Sequence, residues 1–145
     1  MKVEELRAIL SGSDIEGKIE VLSYLRDVFE SYNNSMDDFR ELIIALLDCG
    51  FKEDKLDVKE EIFNTILTAA TYKNIDGINF DILAYNLDSL PEECLHSALT
   101  ILGFTFKKDY LCYLTKYLDH ENRSVRADAI NAINEIEGYW AKNNS

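Results

Sequence analysis

At 145 residues the chain fits a single domain, 1–145, long enough to bury roughly 68–70% of its unfolded surface without disulfides or metals. Its 47% hydrophobic content excludes the disordered regime. The formal charge of −12, with Asp76, Asp81, Asp88, Glu92 and Glu93 but no Lys or Arg between residues 74 and 106, removes any phosphate-neutralising surface there and argues against direct nucleic-acid binding.

Apolar residues recur at helical spacing, and with one proline and six glycines there is little to break helices, so an all-α fold is expected. The pattern predicts helices over Val3–Leu10, Ile15–Tyr32, Met36–Cys49, Leu56–Tyr72, Asn79–Leu87, Pro91–Phe104, Lys108–Leu118 and Asn122–Glu137. Asp14 and Asn122 can accept hydrogen bonds from the first free N–H groups of the helices after them. Gly50 follows a long apolar run and reads as a C-terminal stop. Pro91 opens a helix whose first turn carries Glu92 and Glu93, suited to the positive end of the dipole. "MKVEELRAIL" has acids where a secretory signal needs a basic and then apolar run, and no window approaches the ~18 apolar residues of a membrane span. A soluble cytoplasmic protein without membrane association is therefore expected. Cys49, Cys94 and Cys112 are odd in number, lack Cys-x-x-Cys spacing and sit in apolar helical patterns, which predicts buried reduced thiols.

The helices come in pairs, and the pairs align. Shifting the first pair by 108 residues places Leu6 on Leu114, Leu10 on Leu118, Asp14 on Asn122, Lys18 on Arg126, Val21 on Ala129 and Leu25 on Ile133. A shift of 31 places Leu83 on Leu114, Ala98 on Ala129, Leu99 on Ile130 and Leu102 on Ile133. The second pair fits once its longer loop "DCGFKEDK" is allowed for, with Lys59 on Arg126 and Ile62 on Ala129. Four units in 145 residues repeat at a spacing typical of helical-repeat proteins.

The last unit, "YLDHENRSVRADAINAINEI", resembles the second half of a HEAT repeat, with the motif roles on Leu114, Leu118, Asp119, Asn122, Val125, Arg126, Ala129, Ala132 and Ile133. Earlier units lack the Val-Arg pair, and the third has Leu95 at the basic position. The resemblance implies a short HEAT-like α-solenoid of about four helical hairpins, with the second helix of each pair lining the concave side. Small residues at Ala127, Ala129 and Ala132 would admit a neighbouring helix at close range.

On that reading Asp128 is equivalent to Glu20, Glu61 and Ser97, and Asn131 to Ser23, Asn64 and Thr100. With Asp57, Glu60, Glu92, Glu93 and His96 beside them, these positions form a mostly acidic partner-binding strip. Such a strip is either a solvated helix face or a field that steers a basic protein. The tail residues Tyr139 and Trp140 would cap the last hydrophobic face or anchor an interface, while Tyr24, Tyr32 and Tyr72 are equally open to packing and binding roles.

Catalytic chemistry has little to stand on. Cys94 and His96 fall on different sides of one helix, and Cys112 with His120 lacks the further ligands of a zinc site. Asp37, Asp38 and Glu41 fit a helix N-terminus, and "DCGFKEDKLD" lacks calcium-loop spacing. No phosphate loop, dinucleotide fingerprint or nucleophile elbow occurs. A non-catalytic protein with no cofactor and no metal is expected. Small, acidic and helical, the whole chain resembles in character the immunity proteins of contact-dependent growth inhibition systems. That resemblance implies a partner that is a basic nuclease toxin, bound and neutralised. The alternative is a general HEAT-like adaptor or chaperone scaffold. An enzyme resembling helical-repeat DNA glycosylases or bilin lyases would need a basic surface or a catalytic pocket.

Overall fold

The computed structural model describes residues 1–31 and 37–143, and every regular element among them is helical. Eight α-helices run α1 (Val3–Ser11), α2 (Ile15–Glu30), α3 (Phe39–Lys52), α4 (Leu56–Tyr72), α5 (Asp81–Tyr85), α6 (Glu92–Phe104), α7 (Leu111–Thr115) and α8 (Arg123–Asn143). Short 3-10 turns occupy Leu87–Ser89, Lys108–Tyr110 and Lys116–Asp119. The predicted helix ends at Tyr32 and Met36 lie outside the described residues. No described helix is long and apolar enough to cross a membrane. The chain divides into two compact units, Met1–Ile78 and Asn79–Ser145.

In the first unit α1 packs on α3 and α2 on α4. Asp14 starts α2 by accepting the Gly17 N–H through Oδ1 at 3.1 Å. Leu22, Leu25, Phe29, Leu46, Ile62, Phe63 and Ile66 supply a core that is closed to solvent, tightened by edge-on contacts of Phe29 with Phe39 and Phe51 with Phe63. Three polar contacts fix the direction of α2 against α4: Lys18 to Glu53, Arg26 to Glu61, and Lys73 Nζ to the Ser31 carbonyl. Both residue numbers rise together through this series, so the two helices run the same way.

Gly50 does not stop α3, which continues to Lys52. It is buried, and a Cβ there would stand 3.0 Å from Phe63 Cζ and 3.1 Å from Ile62 Cγ2. The glycine is required by the approach of α4, a packing constraint that a helix-end reading of the sequence mistakes for a backbone one.

The second unit repeats the arrangement with shorter first helices. Asn79 Oδ1 accepts the Asp81 N–H at 2.8 Å, and this local turn takes the place of the first turn predicted from Asn79. The helix predicted over Lys108–Leu118 is divided into two 3-10 turns flanking α7, each ending on an i to i+3 bond. Tyr110 donates to Asp81 at 2.8 Å and Tyr117 to Asp88 at 2.6 Å, again in the same chain direction. Burial, reinforced by the accepting carboxylate, pushes both phenols up from the ordinary tyrosine range. Spectrophotometric titration is therefore expected to leave Tyr110 and Tyr117 un-ionised until alkaline unfolding. Ionisation of these two phenols in the folded protein would contradict the bonds.

α6 packs against α8 along small residues. A Cβ on Gly103 would fall 2.9 Å from Ala132 Cα, and Ala129 and Ala132 are buried. The close helix approach expected for Ala129 and Ala132 is present, whereas Ala127 is exposed and takes no part. Ile130 is likewise exposed although its aligned partner Leu99 is fully buried, so the repeat equivalence does not extend to that position. Ala129→Leu is expected to destabilise by about 1–3 kcal/mol through overpacking; an unchanged melting temperature would contradict the contact.

The last helix runs through Gly138, carrying Trp140 back onto the chain that follows α6. Its Nε1 donates to the Phe106 carbonyl at 2.7 Å, and Tyr139 stacks on the Phe106 ring at 4.6 Å. Phe106 has a φ of 55°, a strained left-handed conformation for a bulky residue, and these contacts hold it there.

Candidate functional site

Helical spacing puts Asp57, Glu60, Glu61 and Asn64 on one face of α4, at i, i+3, i+4 and i+7. Asp57 and Asn64 are exposed, Glu60 and Glu61 half-buried. Glu61 is already engaged: Arg26 Nη1 donates to its Oε2 at 2.6 Å and to Thr65 Oγ1 at 3.2 Å. Asp57 and Glu60 have no ion-pair partner among the described residues. Glu20 does not join this face. It lines a groove between α1 and α2, while Arg26 on another side of α2 forms an ion pair with α4.

In the second unit Glu92, Glu93, His96 and Thr100 share a face of α6, and Asp128 and Asn131 lie one turn apart on α8. His96 Nδ1 sits 2.9 Å from Asp128 Oδ1, joining the two helices, with the imidazole 66% exposed and the carboxylate 15%. Glu93 is exposed and has no ion-pair partner among the described residues. Glu92 lies 3.9 Å from His120 Nδ1. That nitrogen also accepts the Asn122 N–H at 3.0 Å, which places the proton of a neutral ring on Nε2. Ser97, aligned with the strip, is buried in the core.

Six cations hold carboxylates or carbonyls of the chain itself, and the other nine of the fifteen Lys and Arg residues are exposed. Arg7 meets Asp48 at 3.0 Å and Lys18 meets Glu53 at 2.8 Å, the latter pair with side chains only 8% and 5% exposed. Lys59 Nζ donates to the carbonyls of Gly50, Phe51 and Glu53, gathering the end of α3. Arg126 does the same for His120 and Glu121 at the turn before α8. Lys59 and Arg126 are the basic positions that the repeat alignment equates, and they perform one task in separate units. Lys18, the third member, reaches the neighbouring hairpin's loop instead.

Sequence reasoning missed Arg26 and Lys18 as partners of the acids, yet a signal was present. Glu53 and Glu61 each lie 35 residues beyond their base, about one repeat along the chain. The thiols are distributed differently from the expectation: Cys94 is buried, Cys49 half-buried and Cys112 exposed, because Cys112 stands on the outer side of a helix only one turn and a half long. Burial pushes the Cys49 thiol up, against the pull of Arg7. Among the described residues no group of three or more His, Cys, Asp or Glu is placed to hold a metal ion.

Comparison of the chain with protein families, with curated proteins and with solved structures finds no match.

Proposed function

We propose that the protein is a non-catalytic, HEAT-like binding module acting in the cytoplasm, most concretely an immunity protein that occupies and neutralises a cognate basic nuclease toxin. The observation that carries this reading is the acid left exposed and outside any ion pair on two helix faces, in a chain of formal charge −12. Arg7, Lys18, Arg26, Lys59 and Arg126 bind carboxylates and carbonyls of the chain itself, while Asp57 on α4 and Glu93 on α6 are exposed and form no ion pair among the described residues. A surface arranged this way raises the encounter rate with a cationic partner and repels nucleic acid. The stacked, same-direction helix pairs within each unit support an α-solenoid, whose helix faces ordinarily serve as binding surfaces. In this reading the α4 and α6 faces meet the partner, and Glu61 acts by holding Arg26 in place.

The reading is tested by capturing proteins from native lysate on the immobilised chain at low salt and assaying the retained fraction for nuclease activity with and without added free protein. The expected result is one basic protein, released by high salt, whose nuclease activity is suppressed at equimolar addition. Several neutral partners resistant to salt would favour the adaptor reading and overturn this one.

A further inference from the structure

Within the first unit, α1 and α2 leave a groove of about 670 Å³ between them. Ile9, Val21 and Tyr24 form its apolar walls, with Met1 at one end and the bare backbone of Gly12 at the other. Tyr24 is 51% exposed, so the groove leaves a large aromatic side chain open to water. The charged residues lining the groove are both acidic, Asp14 and Glu20, and no Lys or Arg joins them. Asp14 is occupied in capping α2; Glu20 engages no cation among the described residues.

We propose that this groove takes an amphipathic helical segment of a partner protein, with apolar side chains between α1 and α2 and a Lys or Arg against Glu20. Every regular element of the unit is helical, so the groove offers no strand edge to extend, and its apolar walls between two helices suit the apolar face of a third helix laid along them. Charge selects the partner. A second copy would bring a formal −12 against a groove whose own charges are acidic, whereas a basic amphipathic helix meets both its apolar walls and its carboxylate. The site is separate from the α4 and α6 faces and does not depend on the immunity reading.

The probe is a 14-residue helical peptide of leucine and lysine, titrated by fluorescence anisotropy against the whole chain beside a scrambled peptide of the same composition. The expected result is saturable one-to-one binding of the amphipathic peptide, weakened at least about tenfold by Ala8→Arg on the exposed groove wall and about threefold by Glu20→Lys. Asp57→Lys with Glu93→Lys, which leaves the groove intact, is expected to change it little. Tyr24→Ala, at an exposed position, reads the same contact should Ala8→Arg fail to fold. The proposal is overturned by equal binding of the scrambled peptide, by loss of binding in the Asp57 and Glu93 variant with retention in the groove variants, or by no binding at all. Sedimentation showing a dimer that Ala8→Arg dissociates would assign the groove to a second copy and likewise overturn it.

Discussion

Replacing Glu53 with Ala is expected to cost about 3–5 kcal/mol of stability, the range for removing one partner of a buried ion pair. Glu53 Oε1 takes the Lys18 ammonium at 2.8 Å, and Oε2 accepts the backbone N–H groups of Asp54 and Lys55, each at 3.1 Å. Truncation strands a Lys that is 8% exposed and leaves two amides without their acceptor. Lys18→Met is expected to cost less, because the carboxylate keeps both backbone donors.

The same cluster sets a pH dependence. Burial pushes the Glu53 carboxyl up, but the Lys18 hydrogen bond and the amides of Lys55 and Asp54 together outweigh it, and the net position is below the ordinary value. A depressed folded value means stabilisation that is fully present above the unfolded carboxyl pKa of about 4.3 and is lost as the pH falls through the folded value. Urea unfolding of the wild type and Glu53→Gln at pH 7 and at successively lower pH should show a gap that closes on acidification. A constant gap down to pH 2 would mean that the pair contributes nothing through its charge.

The second large effect is expected at Gly103. Helix propensity alone predicts that Gly103→Ala gains up to about 1 kcal/mol. The added Cβ, however, would lie 2.9 Å from Ala132 Cα and 3.1 Å from its Cβ, and the nearer of these is backbone that cannot rotate away. Overpacking at about 1–3 kcal/mol outweighs the propensity gain, so Gly103→Ala should destabilise, and Gly103→Val more so. Ala132→Gly in the Gly103→Ala background should recover only part of the loss, since the contact with Ala132 Cα remains. A melting temperature raised by Gly103→Ala would contradict the helix approach.

The parts of this fold that could be read in the sequence are those determined locally. The span Leu56–Tyr72 and the Asp14 cap follow from periodicity and from a side chain that bonds three residues ahead. Small residues at Ala129 and Ala132 pointed correctly to a close neighbour, but only the structure identifies Gly103 as the residue opposite Ala132. What depends on a partner across the fold was illegible or misread. Gly50 yields to the Phe63 ring, Lys18 is buried because Glu53 stands one hairpin away, and α5 is shortened by an Asn79 side chain that competes with the helix. For the candidate site, the faces of α4 and α6 were legible because carboxylates at helical spacing must share a side. The separation of Glu20 from them, and the claim of Arg26 on Glu61, were not, because periodicity does not record which face of α2 turns toward α4.

Those unpaired acids carry the central claim, that the protein recognises a basic partner through the α4 and α6 faces. Asp57→Lys with Glu93→Lys tests it most directly, since neither residue holds an internal ion pair among the described residues and the fold should survive. The association rate with the captured basic protein would be followed by stopped flow across a series of ionic strengths. The account predicts a wild-type rate that falls steeply with salt, and a variant slower by about tenfold or more at low salt with a flatter dependence. Equal rates and equal salt slopes for the two proteins would contradict it.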